Sequence, residues 1–67
     1  MIEITVNGKA KSIEDNLSID RLIETIGLSS KSIIIEYNGA VKKPVELAET
    51  KLAQGDKLEI IQIVGGG

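Results

Sequence analysis

Two Asn-Gly dipeptides, Asn7-Gly8 and Asn38-Gly39, each sit between short runs of strand-forming residues. The pair is the strongest local hairpin signal a sequence carries, because both central positions of a tight type I′ turn need positive φ, which Asn tolerates and Gly adopts without cost. Before the first turn, Ile2, Ile4 and Val6 alternate with Glu3 and Thr5, and Lys9–Ile13 follows it. Before the second, Ile33–Tyr37 is β-branched and aromatic, and Ala40-Val41 follows. Two β-hairpins are thus placed before any other element is considered.

Between them, Ile19, Leu22, Ile23 and Ile26 recur at i, i+3, i+4 and i+7, which paints one apolar stripe on a helix. Ser18 stands at the N-cap position and Asp20 lies in the first turn, where the helix dipole favours negative charge. Gly27 follows the last stripe residue, where a left-handed cap is usual, and Leu28 can fold back over the final turn. After the second hairpin, Pro44 keeps the following segment off any central strand. Val45 to Leu52 reads as an irregular or single-turn helical connection, and Gln54-Gly55-Asp56 turns the chain into a last strand over Lys57 to Val64. The order is β-β-α-β-β-β.

That order predicts an α+β fold of the β-grasp type: a mixed sheet of four to five strands with one main helix, about 18–27, on one face. The chirality rule makes the helix a right-handed crossover joining parallel neighbours. The first and last strands are expected side by side in the middle of the sheet. Residues 1–64 form the predicted domain, and Gly65, Gly66 and Gly67 form a flexible glycine tail.

Composition excludes much chemistry. A chain of 67 residues buries only about 60% of the surface its unfolded form exposes, so one small core is expected and no enclosed substrate pocket. Cys and His are both absent, which removes thiol and imidazole nucleophiles, the usual general base, thiolate metal sites and disulfides. No bound metal or cofactor is expected. Eight basic residues face ten acidic ones, for a net charge of −2, with both signs interspersed, so no basic field exists to attract nucleic acid. No apolar run approaches the ~20 residues that span a bilayer, and no opening segment reads as a signal peptide. A cytoplasmic protein is the expectation.

The tail carries the functional argument. Gly65-Gly66-Gly67 directly follows the most apolar stretch, Leu58–Val64. Glycines add nothing to a core and lose much backbone freedom when ordered, but side-chain-free backbone threads a narrow channel and delivers the Gly67 carboxylate deep into a partner. An α-carboxylate, with a pKa near ~3.5, is ionised at neutral pH and a poor electrophile until a partner activates it. The bland alternative is a frayed end or an expression remnant; the pattern in front of the glycines favours the reactive reading.

Together, the Asn7-Gly8 hairpin, the short capped helix, the Gly55-Asp56 turn into an apolar last strand and the Gly-Gly terminus resemble the ubiquitin-like sulfur carriers of prokaryotes, and within them the ThiS family of thiamine biosynthesis. The resemblance covers essentially the whole chain. Gly66 and Gly67 match the family's functional pair, and Gly65 is compatible with it. The related MoaD carriers of molybdopterin synthesis tend to be longer and to lack the early Asn-Gly turn. The resemblance implies that a ThiF-like adenylating enzyme, using ATP and magnesium, forms an acyl-adenylate at Gly67. A persulfide sulfur from a cysteine desulfurase then displaces AMP, leaving a C-terminal thiocarboxylate that a ThiG-like thiazole synthase uses to build the thiazole ring. The chain would be a cosubstrate, not an enzyme.

A second candidate site lies on the last strand. Alternation puts Leu58 and Ile60 on one face and Glu59, Ile61 and Ile63 on the other. If Glu59 and Glu36 mark the wet face, Ile34, Ile61 and Ile63 form an exposed partner-binding patch at the base of the tail. The opposing reading is that both faces are partly buried. Glu14-Asp15, Glu46 with Glu49, and Lys42-Lys43 read as solvated loops, since nothing encloses them to shift a carboxylate pKa. Tyr37, the only aromatic residue, is expected to anchor the core with its hydroxyl at the surface. Three functions stay open: a sulfur carrier for thiazole or molybdopterin synthesis, a protein modifier conjugated through Gly67, and an interaction domain whose tail is never activated.

Overall fold

The structure, a computed structural model, describes residues 1–63. Val64 and the predicted tail, Gly65, Gly66 and Gly67, lie outside the described residues. Both Asn-Gly pairs make the expected turns: Asn7 and Gly8 have φ of 50° and 82°, Asn38 and Gly39 49° and 89°. They join β1 (Ile2–Val6) to β2 (Lys9–Ile13) and β3 (Ile33–Tyr37) to β4 (Ala40–Lys42), each an antiparallel pair. The last strand, β5 (Lys57–Gln62), runs parallel to β1 and antiparallel to β3, so the five-stranded sheet has the order β2-β1-β5-β3-β4. This is the expected mixed β-grasp sheet with its first and last strands adjacent at the centre.

Helix α1 spans Ile19–Ile26. Its stripe residues Ile19, Leu22 and Ile23 are fully buried against Ile4, Ile35 and Leu58 of the three central strands. Burial of each such side chain contributes about 1.5–3 kcal/mol of transfer free energy, so the six together outweigh any single polar contact in the domain. Gly27 ends the helix at φ 91°. Its N–H donates to Glu24 O and the Leu28 N–H reaches back to Ile23 O, the two bonds of a Schellman cap, while Leu28 packs on the core. The Ser18 hydroxyl donates to the Asp20 carboxylate instead of capping the helix backbone.

The crossover differs from the expectation in one respect. Helix α1 connects β2 to β3, which run in the same direction but are separated by β1 and β5. The strands it joins are not neighbours, because β5 enters later and takes the central place. Two details escaped the sequence pattern. A 3₁₀ turn at Ser30–Ser32 leads into β3, and α2 (Pro44–Leu47) starts on Pro44 itself, the first helical position, where a missing N–H costs nothing. Glu46, read as a loop residue, lies in this helix and accepts the Lys43 N–H at 2.7 Å. Leu47 and Leu52 close the core beneath it.

Candidate functional site

The structure places the root of the tail, the C-terminal half of β5, with unusual care. On one side β3 pairs along its full length, from Tyr37 opposite Leu58 to Ile33 opposite Gln62. The last rung comes from the 3₁₀ turn: the Ile63 N–H donates to Ser32 O at 2.8 Å. On the other side β1 pairs in register at only two positions, Thr5 with Lys57 and Val6 with Leu58. Backbone bonds from Thr5 to Asp56 O and from Asn7 to Leu58 O, both 2.9 Å, fix that ladder.

Where β1 turns away, the side chain of Asn7 continues it. Its Oδ1 accepts the Ile60 N–H at 2.6 Å and its Nδ2 donates to Ile60 O at 3.3 Å, so one amide reproduces the two bonds of a strand neighbour. Asn38, in the equivalent place of the other hairpin, accepts the Lys57 N–H at 2.8 Å and donates to Asp56 Oδ1 at 3.2 Å. The two turn asparagines therefore grip β5 from opposite sides.

Asp56 opens β5 and is buried. Its carboxylate accepts the Tyr37 hydroxyl at 2.7 Å and the Ala53 N–H at 2.8 Å as well as the Asn38 amide. Burial pushes the Asp56 carboxyl up, but the Tyr37, Ala53 and Asn38 hydrogen bonds together outweigh it and hold the group below the usual carboxylate value. The same bond, with burial and the carboxylate charge, raises the Tyr37 phenol. Tyr37 is half-buried and packs on the core, as expected, and its hydroxyl acts as a structural donor; Lys42 Nζ lies 5.4 Å from its ring centroid.

On the sheet face opposite the helix, Ile34 stands directly across from Ile61 in the β3–β5 register. Ile34, Ile61 and Ile63 are 39%, 46% and 53% exposed. The predicted phase of the last strand is correct: Leu58 is buried and Ile60 packs on the core, while the odd-numbered residues face outward. Beside the isoleucines, Glu36 lies directly opposite Glu59, a like-charge pair that an approaching cation would relieve. Two grooves flank Gln62: one of about 420 Å³ at the end of β5, lined by Leu28, Ser32 and Ile63, and one of about 400 Å³ lined by Val6, Ile26 and Ile60.

From sequence, Asn7 and Asn38 read only as turn formers, Asp56 only as part of the turn before the last strand, and Gln62 had no role. The signal for the first two was the choice of Asn over Asp, since only the amide carries both a donor and an acceptor. Among the described residues, no group of three or more metal-ligating side chains comes together, and no helix is long and apolar enough to cross a membrane.

Comparison with known proteins agrees with this architecture. A thiamine biosynthesis protein (ThiS) of Geobacter metallireducens, known from a crystal structure, superposes with a TM-score of 0.84 at 26% identity, covering 98% of this chain and all of the other. A solution structure of the Geobacter protein gives 0.79. The uncharacterized protein ycf40 of Porphyra purpurea is 35% identical over 98% of this chain and 93% of its own length. A thiazole synthase of Paramagnetospirillum magneticum is 26% identical over 98% of this chain, which spans only 20% of that longer protein. Residues 4–67 match the ThiS family as a whole. With the sheet order, the central last strand and this match in agreement, the chain belongs to the ThiS family.

Proposed function

We propose that this chain is the sulfur carrier of thiamine biosynthesis, a cosubstrate and not itself a catalyst, whose Gly67 carboxylate is adenylated and then converted to a thiocarboxylate. The family match extending through Gly67 carries the reading. A carboxylate cannot take sulfur directly, so ATP, with magnesium, activates one oxygen on a ThiF-like enzyme with release of pyrophosphate; the terminal sulfur of a persulfide then displaces AMP to give an acyl disulfide, and a thiol cleaves its S–S bond, leaving the thiocarboxylate and a disulfide. Gly65 and Gly66 give the enzyme a channel-sized approach. The thiocarboxylate then passes to a ThiG-like thiazole synthase. The name of the Paramagnetospirillum relative, a thiazole synthase that contains a region similar to this chain, supports that acceptor over the molybdopterin branch.

The chain's own contribution is mechanical. A strand held by two asparagine amides and a full β3 ladder gives the tail a fixed origin, so docking the domain also aims the tail. The exposed Ile34, Ile61 and Ile63, next to the Glu36–Glu59 pair, are proposed as the surface that meets the partners: an apolar contact bordered by two carboxylates that suits an apolar patch flanked by Arg or Lys.

The test is pyrophosphate release by a ThiF-like enzyme given ATP, magnesium and this chain. Wild-type protein should support turnover. Gly67→Ala and a chain lacking Gly67 should lose it while unfolding at the wild-type temperature. Equal turnover by either variant would sink the proposal.

A further inference from the structure

The β3–β5 ladder alternates, and its bonds fix which way each β5 residue points its backbone. Ile63 donates to Ser32 O, and Lys57 O accepts from Asn38, so the odd-numbered residues of β5 bond toward β3. The even-numbered ones point toward β1. Asp56 O and Leu58 O are taken there by the Thr5 and Asn7 N–H groups, and Ile60 by the Asn7 side chain. Gln62 is the next in line, and β1 has by then turned off through Gly8. Among the described residues, nothing pairs with the Gln62 N–H and C=O. Next to them lies the groove of about 400 Å³ walled by Val6, Ile26, Leu28 and Ile60, with Ile26 40% exposed. An open strand edge beside an apolar trough is the site geometry for strand addition, in which main-chain bonds hold the added strand and the trough takes its alternate side chains.

We infer that this edge is filled by an extended strand of the adenylating enzyme, which pairs with Gln62 and places an apolar side chain against Ile26 and Ile60. The occupant follows from the tail. Four residues follow Ile63, a reach of at most about 14 Å, so an enzyme working on Gly67 must bring its own surface against the end of β5. Three of those four are glycines and offer a partner nothing but backbone N–H and C=O, so recognition along them is strand-like. Gln62 is the first free rung on that path. The inference rests on the proposed activation of Gly67 but makes a separate claim about how the enzyme holds the chain.

Proline at 62 removes the one N–H in question, and no bond within the described domain uses that N–H. Gln62→Pro should therefore keep the fold, since proline is tolerated where a strand's N–H faces outward, and should raise the Kd for the ATP-loaded enzyme about three- to tenfold. Gln62→Ala, which keeps the N–H, should bind as wild type. A backbone ester at position 62, made by semisynthesis, removes the N–H without the proline ring and should match Gln62→Pro. Hydrogen exchange gives the direct readout: the Gln62 amide should exchange freely in the isolated chain and slow on addition of the enzyme. A wild-type complex in which the Gln62 amide stays unprotected and the ester binds normally would overturn the inference and leave the proposed function standing. Protection in the isolated chain that grows with concentration would assign the edge to a second copy and overturn it as well. Failure of the wild-type chain to bind the enzyme at all would refute both.

Discussion

Asn7→Gly isolates the clamp on Ile60 from the turn that carries it. Glycine adopts φ 50° more easily than Asn, a gain of up to about 1 kcal/mol, and this is offset by a comparable loss because it adds freedom to the unfolded chain. What remains is the loss of two hydrogen bonds, one short at 2.6 Å and one long at 3.3 Å. The site is partly open, so water can re-solvate Ile60 and no orphaned-group penalty arises. At about 0.5–1.5 kcal/mol per bond, with the longer at the bottom of the range, the cost is about 1–2 kcal/mol. For a domain of this size that lowers Tm by about 7–14 °C. Denaturant unfolding measures the total, and amide exchange locates it: the Ile60 amide should lose protection beyond the global change, while the amides that pair β3 with β4 should follow the global change only. Unchanged protection at Ile60 would refute the claim that the Asn7 amide completes the β1 ladder.

Other substitutions separate the remaining parts. Ile61→Glu should cost about 1 kcal/mol or less in stability, since the side chain is half exposed, yet weaken binding to the adenylating enzyme or the synthase more than tenfold by titration; unfolding instead would make Ile61 a core residue. Gly27→Ala should destabilise by about 1 kcal/mol from backbone strain alone, because φ is 91° and no atom lies within 4 Å of the added Cβ; a much larger loss by urea unfolding would mean a steric clash. Asp56 carries a pH prediction. Its folded carboxyl titrates below its unfolded value, so as pH falls from about 4 the unfolded chain takes up the proton first and stability drops through the folded value. Asp56→Asn should cost about 1–3 kcal/mol at neutral pH by stranding donors, and should flatten that acid limb in a pH series of melts; an unchanged limb would show that the acid sensitivity comes from elsewhere.

Much of the fold was legible because local signals agreed with one another. Asn-Gly turns, the Ile19–Ile26 stripe and the Gly27 cap each specify geometry through backbone sterics, and Pro44 marks its segment the same way. The exposed phase of Ile61 and Ile63 was readable only through Glu59, since consecutive isoleucines carry no period of their own. What was not legible depends on contacts far apart in sequence. The Asn7 grip on Ile60 spans 53 residues and the Tyr37 bond to Asp56 spans 19, and no local pattern announces a side chain that substitutes for a strand. The 3₁₀ turn at Ser30–Ser32 has no periodicity to detect. The strands joined by the crossover were misjudged as neighbours because the handedness rule covers any two parallel strands of one sheet and is silent on what lies between them, and only the full order shows β1 and β5 lying between β2 and β3.

The central claim is that sulfur is carried on the main chain at Gly67. Intact mass spectrometry of the protein, after incubation with a ThiF-like enzyme, ATP, magnesium, a persulfide source and a thiol reductant, tests it most directly when the C-terminal peptide is also sequenced. A carrier should show replacement of one Gly67 oxygen by sulfur, dependent on ATP. An unchanged mass, with the enzyme shown to be active on another carrier, would contradict it.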